Sequence, residues 1–179
     1  MRVLVARAGA LGDLVLLRRT IAPLVSAGHR ASLLAPAVPA AALVGPGEVS
    51  VAFPWDGPEM AAVLSGETTG GPVEAALASA DAVVAFTRSA GVLEALGRRA
   101  RRLVARDPAP PPAGPHASRW LVGALETLGI DSVAEPPPLV FTEAEEKEAE
   151  AVMSGLPAGF LAVHPGSGSP AKNWPLDRF

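Results

Sequence analysis

The sequence predicts an α/β fold, an open sheet of parallel strands with helices packed on it. Three observations carry that expectation. Short continuous apolar runs alternate with stretches whose apolar residues recur at helical spacing. The first run, Val3-Leu4-Val5-Ala6, ends in a small-residue turn, Arg7-Ala8-Gly9-Ala10-Leu11-Gly12-Asp13, that opens a helical pattern. At 179 residues, 49% hydrophobic and with net charge −3, the chain can bury a real core in one or two domains. That balance is globular, not that of a disordered or nucleic-acid-binding chain.

Composition excludes several classes of chemistry. There are no cysteines, so neither a disulfide frame nor a thiolate nucleophile is available. The uncharged window at residues 31–47 contains Pro36, Pro39 and Pro46 and cannot be one membrane-spanning helix. Arg7 and Asp13 interrupt what would be the apolar region of a secretory signal. A cytoplasmic location is the expectation.

The elements follow in order. Residues 1–6 read as a strand buried on both faces. Residues 13–27 read as a helix with Leu14, Leu17, Ile21, Leu24 and Val25 on its core face, Arg18 and Arg19 toward water, a kink at Pro23 and a stop at Gly28. Gly9 and Gly12 permit backbone angles and close approaches that a side chain would block. Asp13 falls on the first helical turn. A carboxylate there suits capping, and equally suits taking a proton from a bound hydroxyl, because ligands of such sheets sit beyond the carboxyl ends of the strands.

Residues 31–35 form a second strand, 39–44 a short helix and 49–53 a third strand. Trp55, in the loop after that strand, either stacks on a ligand or closes the core edge. Residues 60–64 and 73–79 are helical pieces around a Gly-rich break, and 82–86 is a fourth strand. Ser89 suits a cap for a helix over 90–99, and Arg88 is either a grip for an anionic group or an exposed loop arginine. Arg98, Arg99, Arg101 and Arg102 either meet phosphates or complement a helix C-terminus. Residues 103–105 are a fifth strand, and 107–115, with five prolines, a stiff surface connection. Residues 116–128 read as a helix carrying Trp120, Leu121, Leu125 and Leu128 on one face, with His116 exposed at its start.

Pro136-Pro137-Pro138 marks a linker, and Thr142 to Glu145 a capping box before an acidic helix over 143–153. Then the pattern restarts. Residues 160–163 read as a buried strand, followed by the loop His164-Pro165-Gly166-Ser167-Gly168-Ser169-Pro170, then Lys172, Asn173, Trp174 and Pro175 at a new helix start. A Gly/Ser loop at a strand end offers N–H groups and hydroxyls to a phosphate, and Lys172 adds a point charge. The spacing fits neither a Walker loop nor the three-glycine dinucleotide fingerprint.

Three features together resemble glycosyltransferase family 9, which includes the heptosyltransferases of the bacterial lipopolysaccharide inner core. They are the opening Arg-x-Gly-Ala-Leu-Gly-Asp, Pro23 about one helix later, and the closing His-Pro-Gly-Ser-Gly-x-x-x-Lys-x-Trp-Pro-x-x-Arg-Phe. The resemblance covers the chain but only the front half of a typical member. It implies the GT-B architecture of two facing Rossmann-like domains, with acceptor bound by the first and ADP-heptose by the second. It implies inversion at the anomeric centre without an essential metal or resident cofactor. On it, Asp13 is the catalytic base, and Lys172, Ser167, Gly168 and Ser169 meet the donor diphosphate. Gly12, Arg7, Trp55 and Arg88 are then acceptor-side candidates. Residues 1–135 would form the acceptor domain, 136–158 a linker and helix, and 159–179 the start of the donor domain. The partners implied are a nucleotide-sugar donor and a lipid-linked glycan acceptor, with peripheral contact at the inner membrane and no nucleic acid. The 179 residues alone are expected to be inactive. The competing class is a stand-alone nucleotide-binding module with its ligand at residues 9–13, against which a carboxylate facing a pyrophosphate counts.

Overall fold

The computed structural model describes residues 1–163, 166, 173 and 175–178. The chain forms two compact units, Met1–Val140 and Phe141–Phe179.

The first unit is a Rossmann-like α/β layer structure. Its sheet is built from β1 (Arg2–Ala6), β2 (Arg30–Ala35), β3 (Ala52–Pro54), β4 (Ala82–Phe86) and β5 (Leu103–Arg106). All pairings are parallel, in the order β3-β2-β1-β4-β5. The continuous apolar character of β1 has a direct cause. Val3 and Val5 point into one core layer, and Leu4 and Ala6 into the other.

The first layer holds helix α1 (Leu11–Ser26), whose Leu14, Leu17, Ile21 and Leu24 are fully buried against the sheet. The short α2 (Ala37–Ala41) follows β2. The second layer holds α3 (Pro58–Ser65), α4 (Pro72–Ser79) and α5 (Ala90–Gly97), through Met60, Val63, Val73, Leu77 and Leu96. Proline stands at the start of α3 and α4, where the missing N–H costs nothing. Helix α6 (Ala117–Val122) returns to the first layer and packs beside α1.

Several sequence expectations are corrected. The strand expected over 49–53 is shorter and later, Ala52–Pro54, because Val49 instead bridges Val44 across the turn at Gly45 and Gly47. The helix expected over 116–128 is α-helical only to Val122. It tightens into a 3₁₀ segment, Gly123–Leu128, that ends on left-handed Gly129. Arg18 and Arg19 do not face water. Arg18 pairs with Glu48 at 2.5 Å, the two side chains being 11% and 9% exposed, and also donates to the Pro137 carbonyl. Arg19 pairs with Glu135 at 2.5 Å. Both arginines fasten the segment leaving the first unit to α1.

The second unit contains α7 (Glu143–Met153), opened by the expected Thr142–Glu145 capping box. The buried strand expected over 160–163 is absent. Those residues have no regular secondary structure and are exposed, with Leu161 87% accessible, and no strand among the described residues pairs with them. A short 3₁₀ turn, Leu176–Arg178, follows Pro175. No helix among the described residues is long and apolar enough to cross a membrane.

Candidate active site

Strand order decides which loops meet. The chain leaves β1 toward β2 on one side, and returns to place β4 on the other, so the loops after β1 and β4 diverge and leave a crevice between them. Asp13 follows β1 and Arg88 follows β4. A cleft of about 400 Å³ opens there, lined by Arg7, Asp13, Leu16, Arg88, Pro108 and Ala117 among others.

Asp13 stands in the first turn of α1 with its side chain 46% exposed. Its Oδ1 accepts from Arg7 Nη2 at 2.7 Å, and its Oδ2 accepts from the Ala10 N–H at 3.3 Å. It therefore caps the helix weakly and still faces the cleft. The turn is shaped around it. A Cβ on Gly9 would lie 2.8 Å from Asp13 Cβ, closer than such atoms approach, so glycine is required for space. Gly12 differs from expectation. Its φ is not left-handed and nothing lies within 4 Å of where its Cβ would be. The fold of this chain does not need glycine there, and the space beside it is open.

Arg7 is the floor of the cleft. Its side chain is only 6% exposed, and its Nη1 is buried with no hydrogen-bond partner among the described residues. Arg88 is the reverse, 67% exposed. Its Nε donates to both oxygens of Asp107, at 2.9 and 2.8 Å, and holds the Asp107 carboxyl below its ordinary range. The Ala109 N–H adds to that stabilisation at 2.9 Å. Its Nη atoms have no partner among the described residues, leaving them available to an anion.

Asp107, Trp120 and Arg106 were not singled out for this site by sequence reasoning. Trp120 Nε1 donates to the Asp107 carbonyl at 2.7 Å, and the Arg106 guanidinium lies 3.9 Å from the Trp120 ring centroid. Together they fix the proline-rich wall over Pro108 and Pro110. The available signal was position alone, an aspartate directly after a strand.

Other candidates fall elsewhere. Trp55 follows β3, the far edge strand, three strand spacings or about 14 Å from β4. It packs, half-buried, on the second core layer and does not line the cleft. His116 caps α6 by accepting from the Ser118 N–H at 3.3 Å. The arginine cluster before β5 is dispersed: Arg98 pairs with Glu94, Arg99 with Glu74, and Arg102 with the Thr127 carbonyl. Lys172, Ser167, Gly168 and Ser169 lie outside the described residues. A larger groove of about 640 Å³ runs beside β3, but its lining carries no titratable side chain and so no acid–base chemistry.

Neither a family model nor a curated protein matches the sequence. Solved structures do. The chain is similar to a glycosyl transferase family 9 protein from Veillonella parvula, with a TM-score of 0.67 and 15% identity over 97% of this chain and 56% of that one. It is similar to Escherichia coli ADP-heptose lps heptosyltransferase II, with a TM-score of 0.61 and 16% identity over 98% of this chain and 58% of that one. It is also similar to the E. coli heptosyltransferase WaaC solved with ADP, with a TM-score of 0.55 and 17% identity over 98% of this chain and 61% of that one. The chain thus has a fold seen in glycosyltransferases and spans less than two thirds of each of these proteins.

Proposed function

We propose that this chain is the acceptor-binding part of an inverting glycosyltransferase of family 9 with GT-B architecture. Its donor is ADP-heptose or a related ADP-sugar, and its acceptor a lipid-linked glycan of the lipopolysaccharide inner core. The observation that carries the reading is Asp13: a carboxylate 46% exposed that lines the crevice between β1 and β4, oriented by bonds from Arg7 to Oδ1 and from the Ala10 N–H to Oδ2.

The chemistry follows from that placement. An acceptor hydroxyl in the cleft attacks the anomeric carbon of the donor. The new oxygen–carbon bond forms as the bond from that carbon to the diphosphate breaks, and ADP leaves with the electron pair. The hydroxyl proton passes to the Asp13 carboxylate. The sugar carbon is oxocarbenium-like in between, and charge grows on the leaving diphosphate. Lys172, Ser167, Gly168 and Ser169 are proposed to receive that charge, on the motif resemblance alone. On the acceptor side, Arg88 offers Nη donors without a partner among the described residues and Gly12 offers room, whereas Trp55 stands two strands from β1 and does not line the cleft. The reaction needs no metal or resident cofactor, and the protein works in the cytoplasm with peripheral contact at the inner membrane.

The test is transfer from ADP-heptose to a deacylated inner-core acceptor, measured for the protein carrying this chain and for Asp13→Asn. The substitution keeps size and removes the base, so kcat is expected to fall by about 100-fold or more. Parental turnover in Asp13→Asn refutes the assignment. Tight binding of ADP at residues 9–13, without transfer, favours a nucleotide-binding module instead.

A further inference from the structure

We infer that Arg7 is a positioning residue for Asp13 and makes no contact with the acceptor. The inference rests on the reading of Asp13 as the base, and goes beyond it by naming what aims the carboxylate.

A basic residue beside a catalytic carboxylate has two available roles. It can bind an anionic part of the substrate, which requires an exposed guanidinium. Or it can hold the carboxylate, which requires a short, enclosed pair. Arg7 meets the second requirement only. Its side chain is 6% exposed while its partner is 46% exposed, so the pair has a buried end and an open end. Its backbone is fastened to the sheet through the Arg7 N–H to the Leu34 carbonyl at 3.0 Å, so the guanidinium starts from a rigid base. Its Nη2 gives Asp13 Oδ1 a charge-assisted bond of 2.7 Å. Among the described residues the other hydrogen bond to that carboxylate is the 3.3 Å contact from the Ala10 N–H to Oδ2, long for such a bond. Space points the same way: Gly9 is bare where a methyl would strike Asp13 Cβ and Oδ2.

Each oxygen of Asp13 accepts one bond and keeps a lone pair, and the short bond from Arg7 fixes the plane in which both lie. Without Arg7 the exposed carboxylate is free to turn among rotamers, and few molecules present it to the cleft in the parental orientation. Loss of orientation lowers turnover while leaving acceptor affinity alone. The exposed positive charge of the cleft belongs to Arg88, so an acceptor contact by arginine would sit there.

The experiment compares Arg7→Met, Arg7→Lys and Arg88→Ala. In Arg7→Met, kcat is expected to fall by about 10- to 100-fold, with the acceptor KM within about twofold of the parent. Arg7→Lys keeps a charge on Oδ1 and should recover part of that loss. Arg88→Ala should change KM instead. A raised acceptor KM with intact kcat in Arg7→Met overturns the inference. A structural arm stands apart from transfer. Crystals of Arg7→Met should show Asp13 displaced from its parental rotamer, and an unmoved Asp13 overturns the inference. If Arg7→Met does not fold, Arg7→Gln takes its place, and in the parent the Arg7 guanidinium protons must exchange slowly with water by NMR. Should Asp13→Asn transfer at the parental rate, the base assignment fails, and the rotamer and exchange measurements still decide the positioning role.

Discussion

Two glycines of the first βα corner, Gly9 and Gly12, should respond to alanine with opposite signs. At Gly9 a Cβ would lie 2.8 Å from Asp13 Cβ and 2.9 Å from Asp13 Oδ2. Carbon atoms rest at about 3.5–4.0 Å, so Asp13 or the turn must move by roughly 0.7 Å or more. The nearer atom is a Cβ, set by the backbone of α1, and cannot swing aside. Overpacking of this kind costs about 1–3 kcal/mol. In a chain of this size that lowers Tm by roughly 2–12 °C. At Gly12 the φ is ordinary and nothing lies within 4 Å, so Gly12→Ala only replaces a poor helix former in the first turn of α1. It should stabilise by about 0.5 kcal/mol. Thermal melts of the two variants by circular dichroism, with a crystal structure of Gly9→Ala, check the pair. A Gly9→Ala variant that melts with the parent and keeps the Arg7–Asp13 bond refutes the crowding at Gly9, and a destabilised Gly12→Ala refutes the open space at Gly12. A separate effect is then readable: a loss of transfer in a fully stable Gly12→Ala means that substrate occupies the open space beside it.

Three further outcomes follow from side chains elsewhere in the first unit. Thr20 is completely buried in α1, and its hydroxyl has no hydrogen-bond partner among the described residues, so Thr20→Val should stabilise by about 1 kcal/mol in urea denaturation. Arg18→Met leaves Glu48 buried and unpaired, costing about 3 kcal/mol or more, and adding Glu48→Leu should restore most of it. Asp107 titrates below its usual 3.8 because Arg88 and the Ala109 N–H bind its ionised form. A depressed carboxyl contributes above its unfolded pKa and loses that contribution as pH falls through the lower folded value. The Arg88–Asp107 link should thus persist at pH 3.8 and break below it, and Arg88→Ala should return the Asp107 carboxyl carbon titration toward 3.8 by NMR.

Much of the fold is legible in the residues because the centres of β1, β2 and β4 are buried on both faces, leaving near-continuous apolar runs with arginine only at the first position of β1 and β2 and one serine within β2. The fourth strand, residues 82–86, and the acidic helix, Glu143–Met153, agree with their periodicity to the residue. What periodicity cannot carry is lateral order. From the sequence, every loop after a strand faces the same crevice, and Trp55 is as good a candidate as Arg88. Only the order β3-β2-β1-β4-β5 sends Trp55 to the far edge and brings Arg88 beside Asp13. Pairing is equally hidden. Arg18 and Arg19 fall between core positions and read as solvated, but their partners Glu48 and Glu135 come from segments distant in the chain. Residues 160–163 fail for a related reason. An apolar run states a preference for burial, and a strand exists only where another edge receives its hydrogen bonds.

Asp13 shows why cap and base were not competing readings. A cap needs a carboxylate oxygen near an orphan N–H of the first turn, and a base needs an oxygen with a free lone pair facing a ligand. One carboxylate has two oxygens and about four acceptor sites. Here Arg7 takes part of Oδ1, Ala10 takes a weak share of Oδ2, and the remainder opens on the cleft. The same first turn that orients the acid also crowds its Cβ against Gly9. Asp13→Asn removes the counter-charge of the enclosed Arg7 on either account, so the melt falls in both. If capping were its main duty, transfer would survive in the molecules that stay folded. If proton transfer is its duty, turnover falls by about 100-fold or more at a temperature where the variant is folded.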